Sequence, residues 1–172
     1  MTVSTIGWYV PWDIVPLYVR AGAIIPHREL EQYVGQLAIN PITFDIYPGP
    51  ASSHQLYLDD KISKQNQAGV YRLTQITQAL NAEGAQTVRI QRLHDQFTPA
   101  EPFYYIALLQ TQPPRSVALA GTPVTFINAG SDNASAAALA ASPGNAYYYS
   151  QSLQTIFVKV LDTSPDVTLT AS

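Results

Sequence analysis

The sequence predicts an all-β protein, an antiparallel β-sandwich preceded by a short N-terminal β arm. Short segments rich in Val, Ile, Thr, Tyr and Phe alternate between apolar and polar residues, as strands do when one face lies in a core and the other in water. Thirteen prolines and nine glycines separate these segments, and frequent turns between short strands are typical of a sandwich. Helix signals are scarce, which also favours the all-β class.

Five segments carry the strand pattern along the chain. In the first, Ile42, Phe44 and Ile46 fall on one face, and Thr43 and Asp45 fall on the other. The segments span residues 42–47, 87–91, 103–109, 155–160 and 166–170. From the apolar faces of the alternating segments, we expect the core to contain Ile42, Phe44, Ile46, Val88, Ile90, Ile156, Val158 and Val160.

Two further segments are ambiguous, the first between helix and strand and the second between helix and loop. Residues 71–82 contain the β-branched Thr74, Ile76 and Thr77, which favour a strand. Residues 134–141 are rich in alanine and are the best helix candidate, with capping residues before them. Since about two turns of helix are marginal by themselves, we expect a surface loop there that is partly helical or mobile.

The composition excludes several classes of function. Charged residues make up only 12% of the chain, the net charge is −3, and Lys and Arg do not cluster. Nucleic-acid binding is therefore not expected, because it needs a basic surface. The absence of cysteine excludes disulfides, thiolate zinc sites and a cysteine nucleophile. A surface made mainly of Gln, Ser, Thr, Asn and Tyr suits a neutral polymer or a protein neighbour.

Targeting and cofactor signals are also missing from the sequence. No run approaches ~18 consecutive apolar residues, so no membrane span is expected. The N-terminus lacks a basic region followed by an apolar run, so we expect no signal peptide and favour a cytoplasmic location. His27, His54 and His94 are scattered without the spacing of a zinc site. No cofactor is predicted.

Three motifs in the first part of the chain carry a family resemblance. Residues 14–26 read IVPLYVRAGAIIP, residues 44–49 read FDIYPG, and residues 56–60 read LYLDD. Their order and spacing resemble the segment that follows the catalytic barrel in family 31 glycoside hydrolases, which include α-glucosidases. The motifs cover residues 11–63, and the remainder agrees only in its strand-rich pattern and length. The family's glycine after the paired aspartates is Lys61 here, so the turn must form without it.

The resemblance implies a domain organisation and a role. It assigns residues 1–38 to a remnant of the proximal C-terminal β-domain with its linker, and residues 39–172 to the distal C-terminal β-sandwich domain. Family members cleave α-glycosidic bonds with two aspartates on a (β/α)8 barrel, which needs about 250 residues, whereas this chain has 172. We therefore expect no catalytic residue and no enzyme activity in this chain alone. The expected role is a non-catalytic accessory region that buttresses the barrel, its main partner.

Asp59 and Asp60 are the most conspicuous pair of carboxylates. Adjacent strand residues point to opposite faces, so they cannot flank a glycosidic bond like the two carboxyls of a retaining glycosidase, about 5–5.5 Å apart. A turn role is favoured, because Asp side chains accept hydrogen bonds from backbone N–H groups. A calcium or other hard-cation site that includes Asp45 is one alternative, and sugar contact is another.

Arg20 is the only charge within the apolar residues 14–26. A half-buried arginine needs a carboxylate or several carbonyls. We therefore expect Arg20 to pair with a residue of the barrel or proximal domain rather than with substrate. The resemblance assigns Gly22 of the same motif a structural role as well.

Aromatic residues are the one feature that could bind sugar. Tyr147, Tyr148, Tyr149 and Trp12 are the candidates, because three consecutive tyrosines of a strand cannot all face one core. Packing in the core or at a domain interface is the favoured interpretation. The alternative function is a carbohydrate-binding module that contacts an α-glucan or oligosaccharide through exposed aromatic rings.

Residues 8–26 form an apolar arm that is too short to bury itself. Leaving several such side chains in water is unfavourable at about 25 cal/mol per Å², and an open strand edge can pair with another chain. We expect the arm either to fold onto its own sandwich or to self-associate, and we favour a homodimer.

Overall fold

The structure is a computed structural model that describes residues 15, 17–33, 35–82 and 84–172. These ranges contain short strands, one α-helix, α1 (Asp132–Ala141), and a single 3-10 turn, Gln65–Ala68. The strands are β1 (Ile24–His27), β2 (Thr43–Ile46), β3 (Ser52–Leu58), β4 (Arg72–Leu80), β5 (Gln86–Asp95), β6 (Phe103–Leu108), β7 (Val117–Leu119), β8 (Thr122–Pro123), β9 (Thr125–Phe126), β10 (Ala146–Ser150), β11 (Thr155–Leu161) and β12 (Asp166–Ala171).

The strands form two six-stranded sheets that share one core. The first sheet has the order β1-β2-β6-β11-β10-β9, and the second has the order β3-β4-β5-β12-β7-β8. Most neighbours are antiparallel, but β2 pairs with β6, and β9 with β10, in parallel. The predicted β-sandwich is confirmed, with these two parallel pairings as a departure from a purely antiparallel sheet.

Register places alternating residues of both sheets in the core. Phe44 lies opposite Ile106, and Val158 lies opposite the same residue from the other side of β6. Of the eight predicted core residues, seven are buried and Ile42 is partly buried against them. The period-two alternation therefore identified the correct face in each of the segments tested, because each of those strands has one face against the opposite sheet.

The two ambiguous segments resolve differently. Residues 71–82 contain β4, as their β-branched residues predicted. The expectation of a loop at residues 134–141 is wrong, because α1 is a regular helix of ten residues. Ser131 caps it by accepting a hydrogen bond from the Ala134 amide, and Leu139 is buried against the sheet. Docking supplies the stabilisation that a short isolated helix lacks.

Part of the N-terminal arm joins the sandwich. Strand β1 lies within residues 1–38 but pairs antiparallel with β2, so in this structure it is the edge strand of the first sheet. The preceding residues 17–20 are exposed. No helix within the described ranges is long and apolar enough to cross a membrane. The division into proximal and distal domains stays a prediction.

Candidate functional site

Two of the sequence motifs pack directly against each other. The amide of Gly22 donates to the carbonyl of Pro48 at 3.0 Å, and the amide of Tyr47 donates to the carbonyl of Ala23 at 2.9 Å. Gly22 has a φ of +78°, and a Cβ added to it would lie 2.6 Å from the carbonyl oxygen of Pro50. A Cβ on Gly49 would collide with the backbone of Gly22. Both glycines are therefore needed for this close approach of backbones.

Arg20 lies on the surface of this chain. Its side chain is exposed, and no hydrogen bond or ion pair joins it to any other described residue. Arg20 precedes β1, where the chain runs along the surface, so its side chain is open to a neighbour outside the described residues. Pairing of Arg20 with a catalytic barrel stays a prediction.

Asp59 and Asp60 form a turn immediately after β3. The Asp59 carboxylate accepts a hydrogen bond from the Lys61 amide at 2.9 Å, and the Asp60 carboxylate accepts from the amides of Ile62 and Ser63 at 3.2 and 3.1 Å. Hydrogen bonds from Ser63, and then from Ile62, lower the pKa of Asp60. Lys61 itself adopts a φ of +56° in place of the family's glycine.

The carboxylates near this turn show no arrangement for a metal. Asp45 contacts His27, with 3.2 Å between Oδ1 and Nε2. Among the described residues, no three His, Cys, Asp or Glu side chains lie close enough to hold an ion. The observed contacts of Asp59 and Asp60 are those of a turn, which is the favoured sequence interpretation.

The three consecutive tyrosines face two different apolar layers. Tyr147 is buried in the core between the sheets, whereas Tyr148 is buried on the outer face beneath α1, stacked on Phe157 at 5.0 Å between ring centroids. Tyr149 is half-buried, and its hydroxyl donates to the carbonyl of Thr111 at 3.1 Å. The helix therefore covers the tyrosine that points away from the core between the sheets. Trp12 lies outside the described residues.

Sequence reasoning missed a cluster of four charges at one end of the sandwich. Arg72 contacts Asp95 at 2.7 Å and Asp162 at 2.5 Å, while Arg92 contacts the same two carboxylates at 2.8 and 2.6 Å. Burial by itself raises the pKa of Asp95, but hydrogen bonds and charges from Arg92 and Arg72 outweigh it and lower the pKa. Asp162 follows β11, so the cluster ties one sheet to the other.

One signal for this cluster was present in the sequence. Arg72 and Ile76 are four residues apart on β4, so their side chains lie on the same face of the strand. Because Ile76 is fully buried, period-two alternation alone places the arginine inward. An inward arginine requires buried acceptors. The identity of those acceptors was unreadable, because Asp162 lies ninety residues further along the chain.

The N-terminal segment exposes apolar side chains. We define the N-terminal apolar surface as the eight large apolar residues, among those the structure describes within 15–39, that lie outside β1 and are more than a third exposed. Leu17 and Tyr18 are 87% and 78% exposed, and Leu30 is 96% exposed. The surface consists of Val15, Leu17, Tyr18, Val19, Leu30, Tyr33, Leu37 and Ile39. Such a concentration is typical of a site that contacts another protein or domain.

Comparisons with known proteins place these features in context. No protein-family model matches the chain. A 1,6-alpha-glucosyltransferase of Sporosarcina globispora is 30% identical over 95 residues, which are 55% of this chain and 7% of the relative. The chain thus spans less than a tenth of that relative's length.

Solved structures share the fold over almost the whole chain. A family 31 dextranase of Flavobacterium johnsoniae matches 90% of this chain with a TM-score of 0.75 and 22% identity, covering 19% of the dextranase. An alpha-1,4-glucan lyase of Gracilariopsis lemaneiformis matches 90% with a TM-score of 0.72 and 18% identity, covering 16% of the lyase. A cycloalternan-forming enzyme of Listeria monocytogenes matches 89% with a TM-score of 0.62 and 19% identity, covering 13% of that enzyme. In fold as in motifs, the chain resembles a β-sandwich segment of family 31 glycoside hydrolases.

Proposed function

We propose that this chain is a non-catalytic accessory region of an α-glucosidase-like enzyme of glycoside hydrolase family 31. In this role it packs against the catalytic (β/α)8 barrel through the N-terminal apolar surface. The barrel, which lies outside the 172 residues, performs the hydrolysis of α-glycosidic bonds. The similar proteins are named as a 1,6-alpha-glucosyltransferase, a dextranase and an alpha-1,4-glucan lyase, and these names support an α-glycosidic substrate for the whole enzyme.

The exposed apolar segment carries this proposal. Val15, Leu17 and Tyr18 are each more than three-quarters exposed, although they directly precede a glycine motif that fixes β1 on the sandwich. Covering such side chains contributes about 25 cal/mol per Å² of apolar area. The segment resembles the part of family members that follows the barrel, so the barrel is the neighbour that fits.

The state of the carboxyl groups supports a non-catalytic role. A glycosidase needs one carboxyl that is protonated at working pH and one that is ionised. Every described carboxyl with a shifted pKa is shifted downward, namely Asp60, Asp95, Glu101, Asp132 and Asp166. Asp95 also binds two arginines, which lower its pKa and leave it poorly suited to donate a proton to a leaving group.

Docking to the barrel gives the first test. The barrel of the enzyme that carries this chain is produced separately and mixed with the chain, and their association is measured by size-exclusion chromatography. The double variant Leu17→Glu/Tyr18→Glu should abolish the complex, because it places two charges in the apolar contact. Tyr57→Glu is the matched control, since Tyr57 is an exposed aromatic residue elsewhere, 47% exposed on β3. A complex that forms equally well with the double variant would contradict the proposal.

Hydrolysis gives the second test. The purified chain should release no aglycone from an aryl α-glucoside above the background rate. Turnover that disappears when a single aspartate of the chain is changed to asparagine would show that the chain has its own catalytic site. That result would refute the accessory role even if the chain still bound the barrel.

A further inference from the structure

A second candidate site lies far along the chain from the motifs. It is an open cleft of about 490 Å³ between the loop before β7, the end of β9, the start of α1 and strand β10. Small-molecule sites commonly have volumes of about 300–1,000 Å³. Its lining is largely polar and includes Arg115, Phe126, Asn128, Asp132 and Gln151.

One wall of the cleft presents an aromatic ring to solvent. Phe126, on the edge strand β9, is 54% exposed, and its ring contacts Tyr147 with 5.1 Å between centroids. Tyr147 is itself buried, so Phe126 rests on a fixed support. Tyr149 lines the same cleft, and its hydroxyl is held by the carbonyl of Thr111. The exposed ring is thus positioned by packing rather than free to collapse inward.

The lining of the cleft also contains a fixed polar group. One carboxylate oxygen of Asp132 accepts hydrogen bonds from the hydroxyls of Ser152 and Ser150, at 2.5 and 2.7 Å. These bonds lower the pKa of Asp132, so the carboxylate is ionised at neutral pH. Its second oxygen receives no hydrogen bond from any described residue. Arg115 and Gln151 are exposed and supply donors in the lining of the same cleft.

The charge balance of the cleft identifies the class of ligand. Asp132 and Arg115 are the charged residues of its lining and have opposite signs, so the cleft selects neither anions nor cations. A pyranose has an apolar C–H face and a rim of hydroxyl groups that both donate and accept hydrogen bonds. The C–H face matches an exposed aromatic ring. The hydroxyl rim matches a lining that contains both an ionised carboxylate and a guanidinium.

We propose that this cleft binds a short neutral oligosaccharide, with one pyranose ring on Phe126 and its hydroxyl groups on Asp132 and Arg115. This goes beyond the accessory role, because packing against a barrel requires no ligand. It also differs from the sequence prediction in its residues, since Phe126 replaces the tyrosines as the stacking ring. The site would hold glucan near the enzyme without taking part in the cleavage.

The test measures sugar binding to the whole chain by isothermal titration calorimetry and by NMR chemical-shift changes. Maltotriose, isomaltotriose and cellotriose serve as probes, and at least one should bind with a millimolar dissociation constant. Phe126→Ala should weaken that binding about tenfold or more, the scale of losing one stacked ring. Asp132→Asn should weaken it as well, because the ionised acceptor is lost.

Matched controls make the result decisive. Phe126→Leu keeps an apolar side chain without a ring and should bind as poorly as Phe126→Ala, which separates stacking from folding. Tyr57→Ala removes an exposed aromatic residue of the other sheet and should leave affinity unchanged. No binding of any probe at millimolar concentration would overturn the proposal. Binding of a probe that is equally strong in Phe126→Ala would overturn it too. The same holds if Phe126 mediates a dimer of the chain and the chain binds no sugar.

Discussion

Lys61 occupies a backbone conformation that lysine rarely adopts. Its φ is +56°, where a residue with a Cβ costs roughly 1–2 kcal/mol relative to the right-handed region. The turn nevertheless forms, because the Asp59 and Asp60 carboxylates accept three backbone hydrogen bonds from the residues that follow them. The paired aspartates are therefore sufficient to hold the turn without glycine.

Replacing Lys61 with glycine should increase the free energy of unfolding by about 0.5 kcal/mol. Relief of the left-handed strain contributes about 1 kcal/mol, and the greater freedom of glycine in the unfolded chain offsets part of it. Urea denaturation measures the change. Lys61→Ala keeps the Cβ and serves as the control, so equal stabilities of the two variants would contradict the explanation.

Helix α1 is fastened at its C-terminal end by a residue of the neighbouring sheet. The Lys159 ammonium group donates to the carbonyls of Ala140 and Ser142, both at 2.7 Å, and lies over the ring of Phe103. Burial lowers the pKa of Lys159. The contacts satisfy carbonyls that the last turn of a helix leaves without partners.

Lys159→Met should lower the free energy of unfolding by about 1–3 kcal/mol, because the side-chain length is kept while two charge-assisted hydrogen bonds are lost. Lys64→Met changes an exposed lysine and should shift stability by less than about 0.5 kcal/mol. Thermal and urea unfolding measure both. An equally small effect of the two substitutions would mean that Lys159 does not anchor the helix.

The same helix shows where prediction from sequence reached its limit. Alternation identified strands such as β2 and β11, because each residue's face is a local property of a strand. The stability of α1 depends instead on Lys159 and on Tyr148, and neither contact can be inferred from residues 134–141. That Phe126 and Asp132 line one cleft depended likewise on the parallel pairing of β9 with β10.

At the scale of the whole molecule, two clusters of charge should make stability sensitive to acid. Burial tends to raise the pKa of Glu101, but its hydrogen bond and ion pair with Arg28 outweigh burial and lower it, as Arg92 and Arg72 do for Asp95. A carboxyl whose pKa is lower in the folded than in the unfolded state stabilises the fold above its unfolded pKa. That stabilisation is lost as the pH falls through the folded pKa.

We therefore expect the free energy of unfolding to fall as the pH drops from about 5, just above the unfolded pKa values of Asp and Glu, through the lower folded pKa values. Denaturation at several pH values gives the slope of the free energy of unfolding against pH, and this slope reports the number of protons taken up on unfolding. Asp95→Asn should make the slope shallower, by up to about one proton. An unchanged slope in this variant would show that the arginine cluster does not set the acid sensitivity.

The N-terminal apolar surface bears on whether the chain by itself forms a homodimer. Strand β1 folds onto its own sandwich, yet Val15, Leu17, Tyr18 and Val19 before it remain exposed. In the chain by itself, these exposed side chains favour contact with a second copy of the chain. We therefore still predict a homodimer at tens of micromolar.

Point variants test the homodimer better than a truncation near residue 38, which would remove β1 and the ion pair between Arg28 and Glu101. Sedimentation equilibrium of the full chain should give a mass between monomer and dimer that rises with concentration. Leu17→Glu/Tyr18→Glu should give a monomer with unchanged circular dichroism, because the charges oppose an apolar contact without touching the core. If the unmodified chain is already monomeric across this range, the apolar surface is not self-adhesive. If the variant dimerises as the unmodified chain does, another surface joins the two copies.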